Sequence, residues 1–315
     1  MLTIATQPPR MQLTSVTRGR VDRPMRILVY GTEGIGKSTF AAAAPAPIFL
    51  APEDGTAELD VARFPQPRTW REVLDAIAEL TTAPHEYRTL VIDTLDALEP
   101  LVWAHVVEQT GNPKIKTLGD IGFGKGPDAA LDLWRVFMAA LERLRNTRNM
   151  HVILIAHSWV KSFKNPEGDD FDRYELKLHP KAGGALREWC EAVLFARYET
   201  FTLKDEKTKR VKGFSNGARV IHTQRTAAWD GKNRYDLPET LPLEWAAFAE
   251  AATARKPVDA AVSRAHIEGL LEKADDALRT VVRDTVVKAG EDAAQLARIA
   301  DRLAAKINLQ NEGTP

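Results

Sequence analysis

Four residues near the start of the chain have the types and the spacing of a phosphate-binding loop. Gly31, Gly36, Lys37 and Ser38 complete the pattern G-x-x-x-x-G-K-[ST], between the apolar run MRILVYG and a helix-favouring segment. In such a loop, backbone N–H groups surround the phosphates, the lysine bridges the β- and γ-phosphates, and the serine hydroxyl holds Mg²⁺. The pattern therefore predicts that the chain binds ATP and Mg²⁺. The expected nucleotide-binding residues are Gly31, Thr32, Gly34, Ile35, Gly36, Lys37, Ser38 and Thr39.

Acidic residues follow two further apolar runs. Asp93 closes the run TLVID, and Glu53 and Asp54 follow the run PIFL. A carboxylate at a strand end beside the phosphate loop can hold Mg²⁺ directly or through water, so we expect Asp93 to join Ser38 at the metal. Asp93 could instead cap the helix that DTLDAL predicts. Glu53 is the first candidate for the group that positions the attacking water, Asp54 is its rival, and an idle solvated acid is the alternative.

A histidine ends a fourth apolar run. His157 closes HVILIAH, where a polar side chain at a strand tip could contact the γ-phosphate and report its presence to the next segment. A structural histidine is the equally weighted alternative.

Two segments combine aromatic and cationic side chains in a way that suits single-stranded DNA. Residues 159–184 are predicted as a long loop, and residues 112–126 as a glycine-bearing loop. Aromatic rings can stack on bases while cations neutralise phosphates. Acidic residues nearly balance the longer segment, so an exposed flap is the alternative. The candidate DNA-binding residues are Lys114, Lys116, Phe123, Lys125, Lys161, Phe163, Lys164, Arg173, Tyr174 and Lys177.

Two later stretches are also basic. Residues 203–219 carry six basic and two acidic side chains and predict an exposed hairpin with SNGA as its turn, either solvated or in contact with DNA. Arg225, Lys232 and Arg234 follow the last predicted core strand. These three cations could reach the nucleotide of an adjacent subunit, or they could belong to a surface loop.

The predicted elements alternate between strands and helices. Apolar runs predict strands at 25–31, 47–55, 89–98, 151–158 and 192–199, further strands around 201–211 and at 218–225, and a long helix at 128–146. The alternation predicts an α/β fold with a mostly parallel central sheet flanked by helices. The expected organisation is a basic N-terminal arm (1–24), an ATPase core (25–250), a linker (251–262), a helical accessory region (263–308) and a tail (309–315).

Composition sets wider limits. The 315 residues carry a formal net charge of zero, so any surface for nucleic acid must be local. The single cysteine, Cys190, excludes an internal disulfide and is expected to be a buried apolar residue in a reducing cytoplasm. The chain has neither a secretory signal nor an apolar run long enough to span a membrane, so we expect a cytoplasmic protein without a membrane partner.

Taken together, these motifs resemble the ATPase core of RecA/RadA-type recombinases and, more closely, phage AAA-family P-loop NTPases of the Sak single-strand-annealing type. The resemblance covers about residues 15–245. It implies a RecA-like fold, with Glu53 as the catalytic glutamate and His157 in place of the usual glutamine sensor. It also implies that residues 112–126 and 160–182 are DNA-binding loops, and that the DGKNR region supplies the trans-acting cations.

The function that this resemblance implies is a DNA-dependent ATPase of phage recombination or repair. It would bind single-stranded DNA as a filament or ring, promote annealing or strand exchange in the bacterial host cytoplasm, and could work with a single-strand-binding protein. Two alternatives stay open: a ring-forming helicase or helicase loader, and an ATP-sensing DNA-binding module with negligible turnover.

Overall fold

The computed structural model describes most of the chain. The described residues are 16, 23–122, 124–166, 168–204, 211–254, 260–272, 274–290, 295–296, 299–300, 302–304 and 306; for 201–204, 211–216, 260–263 and 277 the description is of the backbone. Most of the expected N-terminal arm, the DNA candidate Phe123 and the tail at 309–315 lie outside these residues.

A single sheet organises the fold. Its strands are β1 (Arg26–Gly31), β2 (Pro47–Leu50), β3 (Ala62–Arg63), β4 (Thr89–Asp93), β5 (His151–Phe163), β6 (Phe171–Leu176), β7 (Ala192–Lys204), β8 (Val211–His222), β9 (Lys232–Asn233) and β10 (Thr240–Pro242). The main order is β10-β8-β7-β1-β5-β4-β2-β3, while β6 pairs with β5 and β9 pairs with β7. The strands from β7 to β3 are parallel to one another, and β8, β10, β6 and β9 are antiparallel to their neighbours.

Helices cover both faces of the sheet. They are α1 (Lys37–Ala42), α2 (Trp70–Thr82), α3 (Leu95–Gln109), α4 (Lys125–Arg148), α5 (Pro180–Trp189) and α6 (Trp245–Thr253). Two further helices, α7 (Ala260–Leu271) and α8 (Asp276–Ala289), follow later in the chain and do not belong to these layers. Because side chains alternate along β1, Leu28 and Tyr30 pack with α2 to α5, whereas Ile27 and Val29 pack with α1 and α6. The predicted α/β fold with a mostly parallel sheet flanked by helices is confirmed.

Strand β1 shows why this sequence forms a central strand. Ile27, Leu28, Val29 and Tyr30 are each 0% exposed, because β5 and β7 flank the strand and helices cover both of its faces. A run without polar alternation is what such a site requires. Strands β2 and β4, predicted at 47–55 and 89–98, end earlier than predicted, at Leu50 and Asp93. Thr94 begins α3 directly after Asp93, because its hydroxyl accepts the backbone N–H of Ala97.

The prediction of a long loop at 159–184 is wrong. Strand β5 continues to Phe163 and forms an antiparallel hairpin with β6, and α5 begins at Pro180. The rings of Phe163 and Phe171 face each other across the hairpin with their centroids 5.2 Å apart. Cross-strand aromatic pairs of this kind stabilise a hairpin, and single-segment periodicity does not reveal them.

The prediction of a turn at SNGA (215–218) is also wrong. These residues lie within β8, where the pairing with β7 shifts register after Tyr198 and Gly217 adopts a φ of +80°. An Asn-Gly pair suits a β-bulge as well as a hairpin turn, since both place a residue at positive φ. The described pairing of β7 with β8 extends to Lys204 and Val211, and residues 205–210 of the expected hairpin lie outside the described residues.

The chain divides into two compact units between Ala252 and Thr253. In the second unit, residues of α7 and α8 and of the segment after Gly290 share an apolar core of their own, which includes Ile267, Leu271, Leu296 and Leu303. Among the described residues, no helix is long and apolar enough to cross a membrane.

Candidate nucleotide-binding site

The candidate site lies where the central parallel strands end. Gly31 of β1 pairs with His157 of β5, and Asp93 of β4 pairs with Ile155, two residues before His157. A cleft of about 620 Å³ opens at this edge of the sheet. It is lined by Glu33, Gly34, Gly36, Lys37, Ser38, Thr39, Glu53, Gly55, Glu58, Leu59, Asp93, Thr94, Asp96, His157 and Lys177. Side chains that are distant in sequence thus meet because parallel strands share their carboxyl ends.

The glycine loop follows β1 and has the backbone that its glycines permit. Gly34 and Gly36 adopt φ values of +71° and +106°, which residues with a side chain rarely adopt. A Cβ on Gly31 would overlap the carbonyl oxygen of Ala196 and lie 2.9 Å from its carbonyl carbon. Ile35 is 0% exposed and anchors the loop in the core, while Thr32 and Thr39 are exposed.

Lys37 is the buried cation of the loop. Its side chain folds back so that Nζ donates to the carbonyl oxygens of Gly31 at 3.2 Å and Thr32 at 2.8 Å. Burial lowers the pKa of Lys37, and the negative charge of Asp93 opposes that effect. The ammonium group therefore bonds to two uncharged carbonyl oxygens, which the charged oxygens of a phosphate can replace.

Ser38 and Asp93 form the candidate Mg²⁺ site. Both residues line the cleft, and the carboxylate of Asp93 is 4% exposed. Burial raises the pKa of Asp93, and the nearby hydroxyl of Ser38 opposes the rise. A hydroxyl beside a carboxylate is an all-oxygen pair of the kind that Mg²⁺ takes together with phosphate oxygens. Thr94, rather than Asp93, caps α3, so Asp93 is not used in the capping role considered from the sequence.

Glu53 reaches the same cleft from the segment after β2. Its Oε1 accepts a hydrogen bond of 2.9 Å from the hydroxyl of Thr94, the residue after Asp93. Asp54 is exposed and does not line the cleft. The carboxylate of Glu53 is therefore fixed next to the candidate metal site.

His157 is held by a residue that the sequence reasoning missed. Asp96, in the first turn of α3, accepts the backbone N–H of His157 at 2.8 Å through one oxygen and contacts Nδ1 at 2.8 Å through the other. Burial raises the pKa of Asp96, but the hydrogen bonds with His157 outweigh it, so the pKa lies below its usual value. The spacing of Asp93 and Asp96 in DTLD was the available signal, since it places one carboxylate at the end of β4 and the other three residues later in the first turn of α3.

The structure describes nine of the ten DNA candidates, all but Phe123, and places them in different surroundings. Lys114, Lys116 and Lys125 are exposed, Lys164 pairs with Asp170, and Lys177 lies at the nucleotide cleft, 3.8 Å from Glu33. Arg173 and Tyr174 do not form an exposed DNA surface. Their placements follow from internal partners that the sequence does not display.

Arg173 is 4% exposed and pairs with Asp230, which also pairs with Arg187. The ring of Tyr174 packs on Phe195 with a centroid distance of 4.9 Å.

Trp159 is the exposed aromatic residue of the hairpin that the sequence reasoning missed. It is 39% exposed, and Nζ of Lys161 lies 3.9 Å from its ring centroid. Phe163, by contrast, packs against Phe171 and beneath the guanidinium of Arg173. The alternation of Trp159 and Lys161 on one strand was the signal, but it requires a strand rather than the predicted loop.

The three candidate trans-acting cations differ in their freedom. Lys232 donates to the carbonyl oxygens of Arg187 at 3.1 Å and Glu188 at 2.6 Å, so it binds the end of α5 in its own chain instead of projecting outwards. Arg225 is 66% exposed along its side chain and lies 3.5 Å from Asp230. Arg234 is exposed.

The fold and the site define a P-loop NTPase. Residues 23–235 match the family described as AAA domain, and because this match covers more than half of the chain, the chain belongs to that family. The chain is also similar to the SPbeta prophage-derived uncharacterized protein YorG of Bacillus subtilis (strain 168), with 26% identity over 149 residues. That similarity spans 45% of this chain and 44% of the relative.

Proposed function

We propose that the chain hydrolyses ATP with Mg²⁺ at the cleft. The observation that carries this proposal is the meeting of Lys37, Ser38, Asp93 and Glu53 at one edge of the sheet. P-loop NTPases use a lysine, a hydroxyl and a strand-end acid of this kind to bind a triphosphate and its metal. The buried Lys37 and the oxygen pair of Ser38 and Asp93 fit that group.

Each residue then has a distinct task. Lys37 exchanges two backbone carbonyls for phosphate oxygens, and Ser38 and Asp93 hold the metal ion, which neutralises phosphate charge. Glu53 orients the attacking water, since Thr94 fixes its carboxylate beside the metal site. His157, positioned by Asp96, faces the γ-phosphate end of the cleft.

We further propose that single-stranded DNA is the polymer on which this ATPase acts. The exposed Trp159 forms a cation–π pair with the half-buried Lys161, and both follow His157 on the uninterrupted strand β5. An aromatic face stacks on bases of any sequence, and a neighbouring cation neutralises phosphate. Strand β5 thus offers a direct route from the γ-phosphate end of the cleft to a DNA-binding surface.

The proposed biological role is annealing or strand exchange in phage recombination or repair. The resemblance to Sak-type and RecA/RadA-type proteins supports it, as does the similarity to a prophage-derived protein. In this proposal the chain works in a bacterial cytoplasm as a self-assembled filament or ring, with Arg225 or Arg234 facing a neighbouring subunit and a single-strand-binding protein as partner. Light scattering with and without ATP and DNA measures the assembly; a monomer under all conditions would exclude it.

The test is the rate of ATP hydrolysis with and without single-stranded DNA, at a fixed salt concentration because phosphate contacts depend on salt. We expect stimulation by DNA. Glu53→Gln should abolish hydrolysis and retain ATP binding, whereas Lys37→Ala should lose binding. Trp159→Ala should weaken DNA binding by about 1–3 kcal/mol, the value of one stacked base. The matched control is Trp103→Ala, because Trp103 is similarly exposed, at 37%, on α3.

The outcomes separate the rival functions. Full activity of Glu53→Gln would favour an ATP-sensing binding module, and ATP-driven unwinding of a tailed duplex would favour a helicase or its loader. Equal DNA affinity of the Trp159→Ala and Trp103→Ala variants would remove the β5–β6 hairpin from the DNA site.

A further inference from the structure

Arg219 of β8 lies against the glycine loop. A Cβ built on Gly36 would lie 2.7 Å from Nη1 of Arg219 and 3.7 Å from Cδ2 of Leu243. The guanidinium therefore occupies the space that a side chain at position 36 would fill. Glycine at this position permits both the positive φ of the loop and the approach of this cation.

Within the described residues, no acidic side chain forms an ion pair with Arg219. The backbone of Arg219 is fixed on both sides, because Arg219 pairs with Tyr198 of β7 and its carbonyl oxygen accepts the N–H of Leu243. The residue itself is exposed. A fixed backbone and an exposed guanidinium place five N–H donors beside the loop, available to an anion.

The sheet order indicates which part of a nucleotide this cation would meet. Strands β5 and β4, with His157 and Asp93, lie on one side of β1, and β7 and β8 lie on the other. The γ-phosphate must lie on the side of Asp93 and Glu53, where the candidate metal and water positions are. A triphosphate that crosses the loop then extends its α-phosphate and nucleoside towards β8.

We propose that Arg219 binds the α-phosphate of the nucleotide held by its own chain. The proposal rests on the nucleotide-binding function proposed above and adds a residue that is distant from the loop in sequence. A planar guanidinium matches phosphate oxygens in a bidentate geometry. Because ATP and ADP share the α-phosphate, Arg219 contributes to the binding of both.

The experiment measures the affinities of ATP and ADP by calorimetry for the wild type and for Arg219→Ala and Arg219→Lys. We expect Arg219→Ala to weaken both nucleotides about equally, by about tenfold, which is the value of one charge-assisted contact. Arg219→Lys should restore part of the loss. In hydrolysis, Arg219→Ala should raise KM about as much and leave kcat nearly unchanged. Arg135→Ala is the charge-matched control, because Arg135 pairs with Asp132 on α4.

The measurements distinguish a failure of the Arg219 assignment from a failure of the proposed nucleotide-binding function. If the wild type bound neither nucleotide, the proposed function would fail first. If it bound both and Arg219→Ala bound both equally well, Arg219 would have no contact with the nucleotide. A loss for ATP with full affinity for ADP would place Arg219 at the γ-phosphate and overturn the α-phosphate assignment. Thermal unfolding without nucleotide, compared between the variants, reports any loss of folding.

Discussion

We predict that the buried carboxyl group of Glu99 lowers the stability of the protein as the pH rises from 4.5 to about 7. Glu99 lies on α3, is 6% exposed, and accepts the backbone N–H of His179 at 3.0 and 3.1 Å. Burial raises the pKa of Glu99 from 4.5 to about 7; the hydrogen bond from His179 opposes this rise and the charge of Asp96 adds to it. The folded protein therefore keeps a proton on Glu99 at a pH where the unfolded chain has lost it.

The sign and the size of the effect follow from this difference. Between pH 4.5 and about 7, the folded state binds more protons than the unfolded state, so the free energy of unfolding decreases with rising pH. The loss of stability from Glu99 is absent below about pH 4.5 and complete above about pH 7. At about 1.36 kcal/mol per pH unit, the full difference corresponds to at most about 3 kcal/mol.

The assay is urea denaturation, followed by tryptophan fluorescence, of the wild type and Glu99→Gln between pH 4.5 and 8. Subtracting the two curves cancels the titration of all other groups. We expect the difference to move in favour of Glu99→Gln by about 2 to 3 kcal/mol as the pH rises. Glu79→Gln, at an exposed position of α2, should show no such change. A difference that stays constant with pH for Glu99→Gln would refute the reasoning.

Three further predictions test the packing. Gly31→Ala should lower the free energy of unfolding by more than about 1–3 kcal/mol, because its Cβ would overlap a backbone carbonyl of β7. Gly184→Ala, in open space on α5, should cause no such loss, and thermal unfolding compares the two variants. Asp230→Ala should cost about 3–5 kcal/mol by leaving the buried Arg173 without its carboxylate partner, and denaturation that matches the wild type would contradict this. Cys190 is 0% exposed, and burial raises its pKa to about 12, so a thiol reagent should label it in denaturant and not in the folded protein; rapid native labelling would disagree.

The part of the site that the sequence predicts is the part determined by local pattern and strand ends. The glycine loop is contiguous, and Asp93, Glu53 and His157 each follow an apolar run. Once the runs are identified as parallel strands, a shared edge follows, because parallel strands place their carboxyl ends together. The expected residues of the loop and of these strand ends do line or adjoin one cleft.

The remainder depends on partners that are distant in sequence. The sequence around Arg173 does not show that this residue will be buried and paired with Asp230. The sequence around Arg219 likewise does not show that β8 will bring it next to Gly36. A single sequence reports the type and the periodicity of a residue, whereas burial and pairing depend on which strands become neighbours. The same reason explains the hairpin that was predicted as a loop.

The position of β1 in the sheet has a consequence for synthesis of the chain. Met25 and its partner His151 are 126 residues apart, and Arg26 and Glu191 are 165 residues apart. The strand that carries the glycine loop thus leaves the ribosome long before either neighbour exists to pair with it. Its apolar side chains stay exposed until β5 and β7 emerge, as expected for a fold of long-range contacts. A nascent chain that ends before Ala192 therefore leaves one edge of β1, directly beside the glycine loop, unpaired until β7 has been made.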